Sequence, residues 1–370
     1  MRNSQVAPHQ DRGRIRRWAR ELPKIDLHRH LEGSLRLSTL AEIARQHGLD
    51  LPAHDAESLR PYVQVTEESI NFQRFLEKFR VLRQFYTSRE AVQRVVREAI
   101  ADAAQDNIRY LELRFNPLAL ANVQHFAFQD VVSWVVQATR EAAKESGTRT
   151  CLILQIPRDQ SLAIAGEIVD LAIKHFGPVV RGIDLAGDEK RYPPDKFAEP
   201  FRRAREAGLS TTAHAGEAAG PESVRKAVEH LHPLRIGHGI RTVESSEVVR
   251  MVYERDITLE VCPTSNVHTG AVRGFSQHPL IDLFNLRLHV TLNTDDPSVS
   301  DTTLSEEYVV AVADLGLAPR LIYTMLRHSV DAAFIPAEER VWLRETIRNA
   351  LWQWPGAVEC FDGVNAQMPL

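Results

Sequence analysis

From Tyr110 to Asn293 the chain alternates short apolar runs with longer amphipathic stretches. Tyr110-Leu-Glu-Leu-Arg-Phe115 alternates apolar and polar positions and predicts a strand closed by Asn116-Pro117. Apolar runs over Cys151–Ile156, Val179–Leu185, Leu209–Ala213, Leu234–Ile236, Ile257–Val261 and Leu288–Asn293 predict six more. Between them, helical periodicity covers Asp130–Lys144, Leu162–His175, Phe197–Glu206, Pro221–Leu231 and Ser245–Arg255, and His278-Pro279-Leu280 opens a short helix. Ahead of this regular part, Lys24–Leu27 after Pro23 predicts a first strand. Helices are expected over Ser38–His47, with Ser38 as N-cap, over Phe72–Leu82 and over Ser88–Asp106. Leu304–Trp354 reads as helices packed outside the sheet.

Eight short strands alternating with helices imply parallel βαβ units, and that number suggests a closed (β/α)8 TIM barrel, an α/β fold. An open doubly wound sheet is the alternative, but no GxGxxG follows any strand. We expect an arginine-rich arm and first helix over residues 1–22, then one barrel domain over 23–370 that includes the C-terminal helices. The aromatic stripe Phe72, Phe75, Leu76, Phe79 and Leu82 fits core packing or a wall over a pocket.

Composition changes this picture little. Over 370 residues, 44% apolar and 25% charged positions are ordinary for a globular protein. A net charge of −4 gives no reason to expect nucleic acid. No apolar run is long enough to span a membrane, and the first twenty residues lack the apolar core of a secretory signal. Cys151, Cys262 and Cys360 are far apart with no CxxC pair, so a reducing cytoplasm is expected rather than a disulfide framework. The oligomeric state is not readable.

In such a barrel the active site lies at the carboxyl ends of the strands. The first ends in His28 and His30, whose i, i+2 spacing puts both imidazoles on one face of extended backbone. The fourth ends Asp184-Leu-Ala-Gly-Asp-Glu189, the fifth His214-Ala-Gly-Glu217, the sixth Gly237-His-Gly239, the seventh Cys262-Pro-Thr-Ser-Asn266 and the eighth Asn293-Thr-Asp-Asp-Pro297. Four histidines facing a carboxylate pair are hard to explain as packing, because buried polar groups need partners. Three histidines and one aspartate suit one zinc ion with room for a water, and His28, His30, His214 and Asp295 are our assignment. A dinuclear site is disfavoured, since the end of the fourth strand offers no bridging lysine before Lys190. That leaves His238 free to act as a base or to hold the water. Glu217 is a candidate proton shuttle if burial raises its pKa, or else a favourable charge at the start of the next helix.

HRHLEGS, DLAGDE, HAGE, GHG, CPTSN and NTDDP, in this order across Pro23 to Glu307, resemble the adenosine deaminase family of the amidohydrolase superfamily. The resemblance implies a zinc-dependent hydrolase that binds a small purine, and again points to His28, His30, His214 and Asp295 as ligands. It implies that Glu217 protonates the ring at N1, and that His238 orients the attacking water and helps to deprotonate it. Asp296 would bind N7, Gly187 would meet N3 through its backbone, and His30 and Glu32 would border the substrate. Since N7 is an acceptor, Asp296 can help only as a protonated donor, which repulsion from Asp295 makes reasonable.

Glu32 departs from the pattern. Adenosine-specific members usually carry aspartate there, while adenine and aminodeoxyfutalosine deaminases tend to carry glutamate. CPTSN leans back toward the adenosine type, so adenosine is the first choice and those two are the alternatives. We expect Glu32 at the pocket mouth, beyond the ring. A different amidohydrolase of pterins, cyclic amides or esters, and a non-enzymatic relic barrel, are rival readings. The HAGE motif, the Asp295-Asp296 pair and the intact ligand set argue against both.

Overall fold

The computed structural model describes residues 8–53, 55–66, 70–354 and 356–363. Eight parallel strands form one sheet in sequential order: β1 Lys24–His30, β2 Ile108–Phe115, β3 Arg149–Pro157, β4 Val180–Ala186, β5 Ser210–Ala215, β6 Arg235–His238, β7 Thr258–Val261 and β8 His289–Leu292. The sheet closes on itself just past β8. There the His30 amide donates to the Asp295 carbonyl (2.8 Å), and the Asp295 amide donates to the His28 carbonyl (2.7 Å). The expected (β/α)8 barrel is therefore the observed one, and each strand lies on the stretch expected for it.

The limits moved where the chemistry is. β1 continues through His28 and His30 rather than stopping at Leu27, and its pairing with β2 slips between Asp26 and Arg29. Between the pairs Asp26–Leu111 and Arg29–Leu113, two residues of β1 (Leu27 and His28) face one of β2 (Glu112), a bulge of the kind that re-aims side chains. The helix Leu37–His47 starts one residue before Ser38, and its N-cap is Arg36 without a side-chain cap. Short helices at Pro117–Ala121 and Pro263–His268 follow strand ends directly, each with proline in its first turn, where a missing N–H costs nothing.

Arg12, Arg14, Arg16, Arg17 and Arg20 lie in a helix, Pro8–Glu21, that packs on the helix Leu304–Val309, while residues 1–7 of the expected arm lie outside the described residues. Arg12 pairs with Asp314 (2.6 Å), Arg16 with Glu306 (2.5 Å), and the Trp18 indole donates to the Tyr323 hydroxyl (3.2 Å). Among the described residues no helix is long and apolar enough to cross a membrane.

Below the strand ends the barrel interior is unusually ionic. Arg114 of β2 is fully buried and donates to Asp184 of β4 (3.1 Å), to Glu260 of β7 (2.9 Å) and to the Leu27 carbonyl (2.7 Å). Arg235 of β6 donates to Glu260 (2.6 Å) and to Glu112, with its guanidinium 3.4 Å from the Phe334 ring centroid. Breaking one partner of such a buried pair costs about 3–5 kcal/mol. The strands that carry the site are thereby locked to one another from beneath.

Candidate active site

The bulged end of β1 brings His28 and His30 toward His214 at the end of β5 and Asp295 just after β8. Ligand atoms from these four residues all lie within 4.8 Å of one another. Asp295 Oδ1 is 3.2 Å from His28 Nε2 and 3.0 Å from His30 Nε2, and His214 Nε2 is 3.3 Å from His30 Nε2. Gly237 leaves room for this convergence, because a Cβ there would stand 3.0 Å from the His28 ring and 3.3 Å from His214.

Each imidazole turns its other nitrogen outward to an oxygen. His28 Nδ1 meets Glu260 (2.6 Å), His214 Nδ1 meets Asp184 (3.1 Å), and His30 Nδ1 meets the Gln155 side-chain oxygen (3.2 Å). An Nδ1–H donating outward leaves the Nε2 lone pair facing inward, the state a metal requires. Arg114 contacts both Glu260 and Asp184, so one guanidinium holds the partners of two of the three histidines. Burial would raise the Glu260 carboxyl, but Arg114 and Arg235 outweigh it and hold it well below the usual range. Burial lowers the His214 imidazole to about 4 against the pull of Asp184. The donor set, three imidazoles and a carboxylate, fits a zinc ion with one position left open.

Asp295 is in the left-handed region (φ 61°), as is His238 (φ 60°), a strained conformation for residues with a Cβ and a common one at functional sites. Burial favours protonation of Asp295, yet its close contacts with the His28 and His30 rings hold its carboxyl well below the usual range. Its Oδ2 accepts from the Ser265 hydroxyl (2.6 Å). Burial, and then the charge of Asp295, push its neighbour Asp296 well up. A carboxyl raised in this way favours the protonated form, which can donate to an acceptor.

Asp296 fits only because residue 33 is glycine. A Cβ on Gly33 would come within 1.8 Å of Asp296 Oδ1 and 2.5 Å of its Cβ. We predict that Gly33→Ala displaces Asp296 and lowers kcat/KM roughly ten- to a hundredfold, the scale of about 1–3 kcal/mol for forced overpacking. Steady-state kinetics with metal analysis checks this, and unchanged kinetics would mean that Asp296 is not used.

Glu217 and His238 complete the group. Glu217 is 7% exposed, and its Oε2 lies 3.6 Å from His238 Nε2. Burial, together with the charges of Asp295 and Glu189, pushes the Glu217 carboxyl well above its ordinary value. Its loop is held by a residue that the sequence singled out without a role. The Glu189 carboxylate accepts from the amides of Gly216 (3.0 Å), Glu217 (2.8 Å) and Ala219 (2.6 Å), and from the Ser223 hydroxyl (2.6 Å). Burial holds His238 neutral, well below the usual imidazole value.

These groups open onto a cavity of about 550 Å³. The helix Phe72–Leu82 contributes Phe72, Phe75, Leu76 and Phe79 to its lining, so this stripe walls the cavity. Gln73 ties that wall to the loop after β4 through Asp188 (3.3 Å). Gly187 and Asp296 line it as well. Glu32 lies deeper than a pocket mouth, at 4% exposure. Its Oε1 accepts from the Asn116 amide (2.8 Å), while its Oε2 is buried with no partner among the described residues. Burial raises this carboxyl against the Asn116 hydrogen bond.

Sequence reasoning assigned no role to Glu260, Asp184, Gln155 or Arg114. Glu260, Gln155 and Arg114 were visible only as a charge or amide within a strand, and Asp184 only as the first residue of the polar end of the fourth strand.

The chain is similar to known proteins in sequence and in fold. The adenosine deaminase family pattern matches residues 23–350. An adenosine deaminase of Serratia proteamaculans is 37% identical over 327 residues, which is 88% of this chain and 98% of that relative. The structure of an adenine deaminase from Arthrobacter aurescens superimposes with a TM-score of 0.82 at 29% identity, covering 89% of this chain and 98% of its own. An amidohydrolase from Burkholderia ambifaria with bound zinc superimposes with a TM-score of 0.83 at 27% identity, covering 98% and 96%.

Proposed function

Since the chain belongs to the adenosine deaminase family and is a deaminase, we propose that it hydrolyses the 6-amino group of a purine nucleoside, converting adenosine to inosine and ammonia. The observation that carries this reading is the convergence of His28, His30, His214 and Asp295 beside Glu217, His238 and Asp296 on one cavity. The first four would hold one zinc ion. When bound, such an ion acts as a Lewis acid that makes water nucleophilic near neutral pH.

The protein's own groups do the rest. Asp296, protonated, donates to N7 and orients the ring, while the backbone at Gly187 meets N3. Glu217, also protonated, gives its proton to N1 and makes C6 electrophilic. His238 orients the attacking water. Overall, water supplies the oxygen and two protons, one ending on N1 and the other on the departing ammonia. Glu217 is placed to carry both. Three cysteines without disulfides suit a cytoplasmic location.

Adenosine is favoured over adenine because the unpartnered Glu32 Oε2 can accept from a sugar hydroxyl. Glu32→Ala should then cost adenosine about 1.5–3 kcal/mol, roughly ten- to a hundredfold in kcat/KM. Adenine has no sugar and should lose far less, so the ratio of the two substrates is the readout. The test compares adenosine, adenine and 6-aminodeoxyfutalosine on wild type, Glu32→Ala and Glu32→Asp. A wild type that prefers adenine, with Glu32→Asp gaining adenosine turnover, would replace adenosine by the free base.

A further inference from the structure

Asn266 and His278 are buried beside the site but belong to neither the ligand set nor the cavity lining. They end a chain of hydrogen bonds whose direction is fixed by a backbone group. The Leu280 amide donates to His278 Nδ1 at 3.1 Å. A backbone N–H can only donate, so this Nδ1 is unprotonated. Burial pushes the His278 pKa down to about 3, so the ring is neutral and its one proton sits on Nε2. Nε2 lies 3.1 Å from the Asn266 side chain and donates to it, which identifies that atom as the amide oxygen. The amide nitrogen of Asn266 therefore faces His238 Nδ1, at 3.0 Å. His238 Nδ1 must accept and so carries no proton, and an imidazole bare at Nδ1 holds its proton on Nε2, the nitrogen that looks toward Glu217 and Asp295.

We propose that His278 and Asn266 are positioning residues that hold His238 as its Nε2–H tautomer, so that His238 donates a hydrogen bond to the attacking oxygen and is not the base. His238 keeps its proton throughout. To accept a proton on Nε2, the ring would first have to carry one on Nδ1, against the NH2 group of Asn266. That amide cannot flip without presenting NH2 to the N–H of His278. The inference rests on the reading of His238 given above and narrows its two expected roles to one.

The decisive measurement is a long-range nitrogen–proton correlation spectrum of the zinc-loaded, full-length protein labelled with 15N-histidine. His238 is assigned by its absence in His238→Ala. The expected result is an unprotonated Nδ1 and a protonated Nε2. A proton on Nδ1 in active wild type would overturn the inference and leave the deaminase reading intact. Absence of turnover on every aminopurine would remove the deaminase reading and leave the tautomer standing.

Variants test the relay itself. Asn266→Asp supplies a carboxylate that accepts from both rings. It should move the His238 proton to Nδ1 and lower kcat roughly tenfold or more, within the range for residues that orient a catalytic group. His278→Gln keeps an N–H donor near the position of Nε2 and should hold kcat within about threefold. His278→Leu fills similar volume without a donor, and should lose roughly tenfold in kcat with little change in KM or zinc content. Equal losses for Gln and Leu, or a lower kcat with the tautomer unmoved, would reduce His278 to a packing residue.

Discussion

A His214→Ala protein should fold, copurify with far less than one zinc per chain and show no turnover above background. The fold should survive because the ionic layer beneath the site does not depend on this imidazole. Arg114 would still bridge Asp184 and Glu260, and Arg235 would still join Glu260 to Glu112. Metal retention should fail because His214 is one of the four convergent donors, and the chelate would fall to two imidazoles and a carboxylate. Turnover should fail with it, since water at neutral pH is a poor nucleophile unless a cation lowers its pKa. Added zinc should restore little, whereas adding zinc to chelator-stripped wild type should restore activity. Metal analysis, circular dichroism and a turnover assay on one preparation suffice. Full metal content and full activity in His214→Ala would place the ion, or the chemistry, elsewhere.

The convergence of the four candidate ligands was legible because each falls at a strand end beside small or turn-forming residues, where a polar side chain has no packing role. That His28 and His30 share one face was readable from the i, i+2 spacing. Their aim was not, because it depends on a bulge against β2 that appears only when the strands pair. The partners that orient the ligands were illegible for a related reason. Glu260 contacts His28 across 232 residues of sequence, and Asp184 reaches His214 across 30. A single sequence shows a charge inside a short apolar strand, but not the neighbour it faces. Glu32 was misplaced similarly. Its position after the ligands suggested a pocket mouth, whereas the Asn116 amide after β2 draws the carboxylate inward. Strand positions survived because short apolar runs bounded by glycine and proline fix them locally. Short helices at Pro117 and Pro263 were missed because proline after a strand reads as a stop, although it also starts a helix well.

Glu217→Gln is the other large effect expected, and its pH dependence separates two explanations. As a proton donor to N1, the carboxyl is useful only when protonated, and removing it should lower kcat by at least ~10²-fold while zinc content and fold stay unchanged. The glutamine keeps the backbone amides of Gly216, Glu217 and Ala219 on the Glu189 carboxylate, so the loop should hold its shape. In the wild type, burial and the nearby carboxylates push the Glu217 pKa well up. The acid form therefore persists above the usual carboxylate range, and activity should fall as pH rises through that raised value. Glu217→Gln should lose this alkaline limb, because an amide has no proton to shed. If Glu217 served only as a charge near the start of the helix Pro221–Leu231, the variant would instead melt lower, by the equivalent of about 0.3–1 kcal/mol, and keep its rate. A stable protein with a rate down a hundredfold and a flattened alkaline limb makes Glu217 the acid. An unstable protein with near-normal kcat makes it a helix charge, and proton delivery to N1 would then have to come from another group on the cavity.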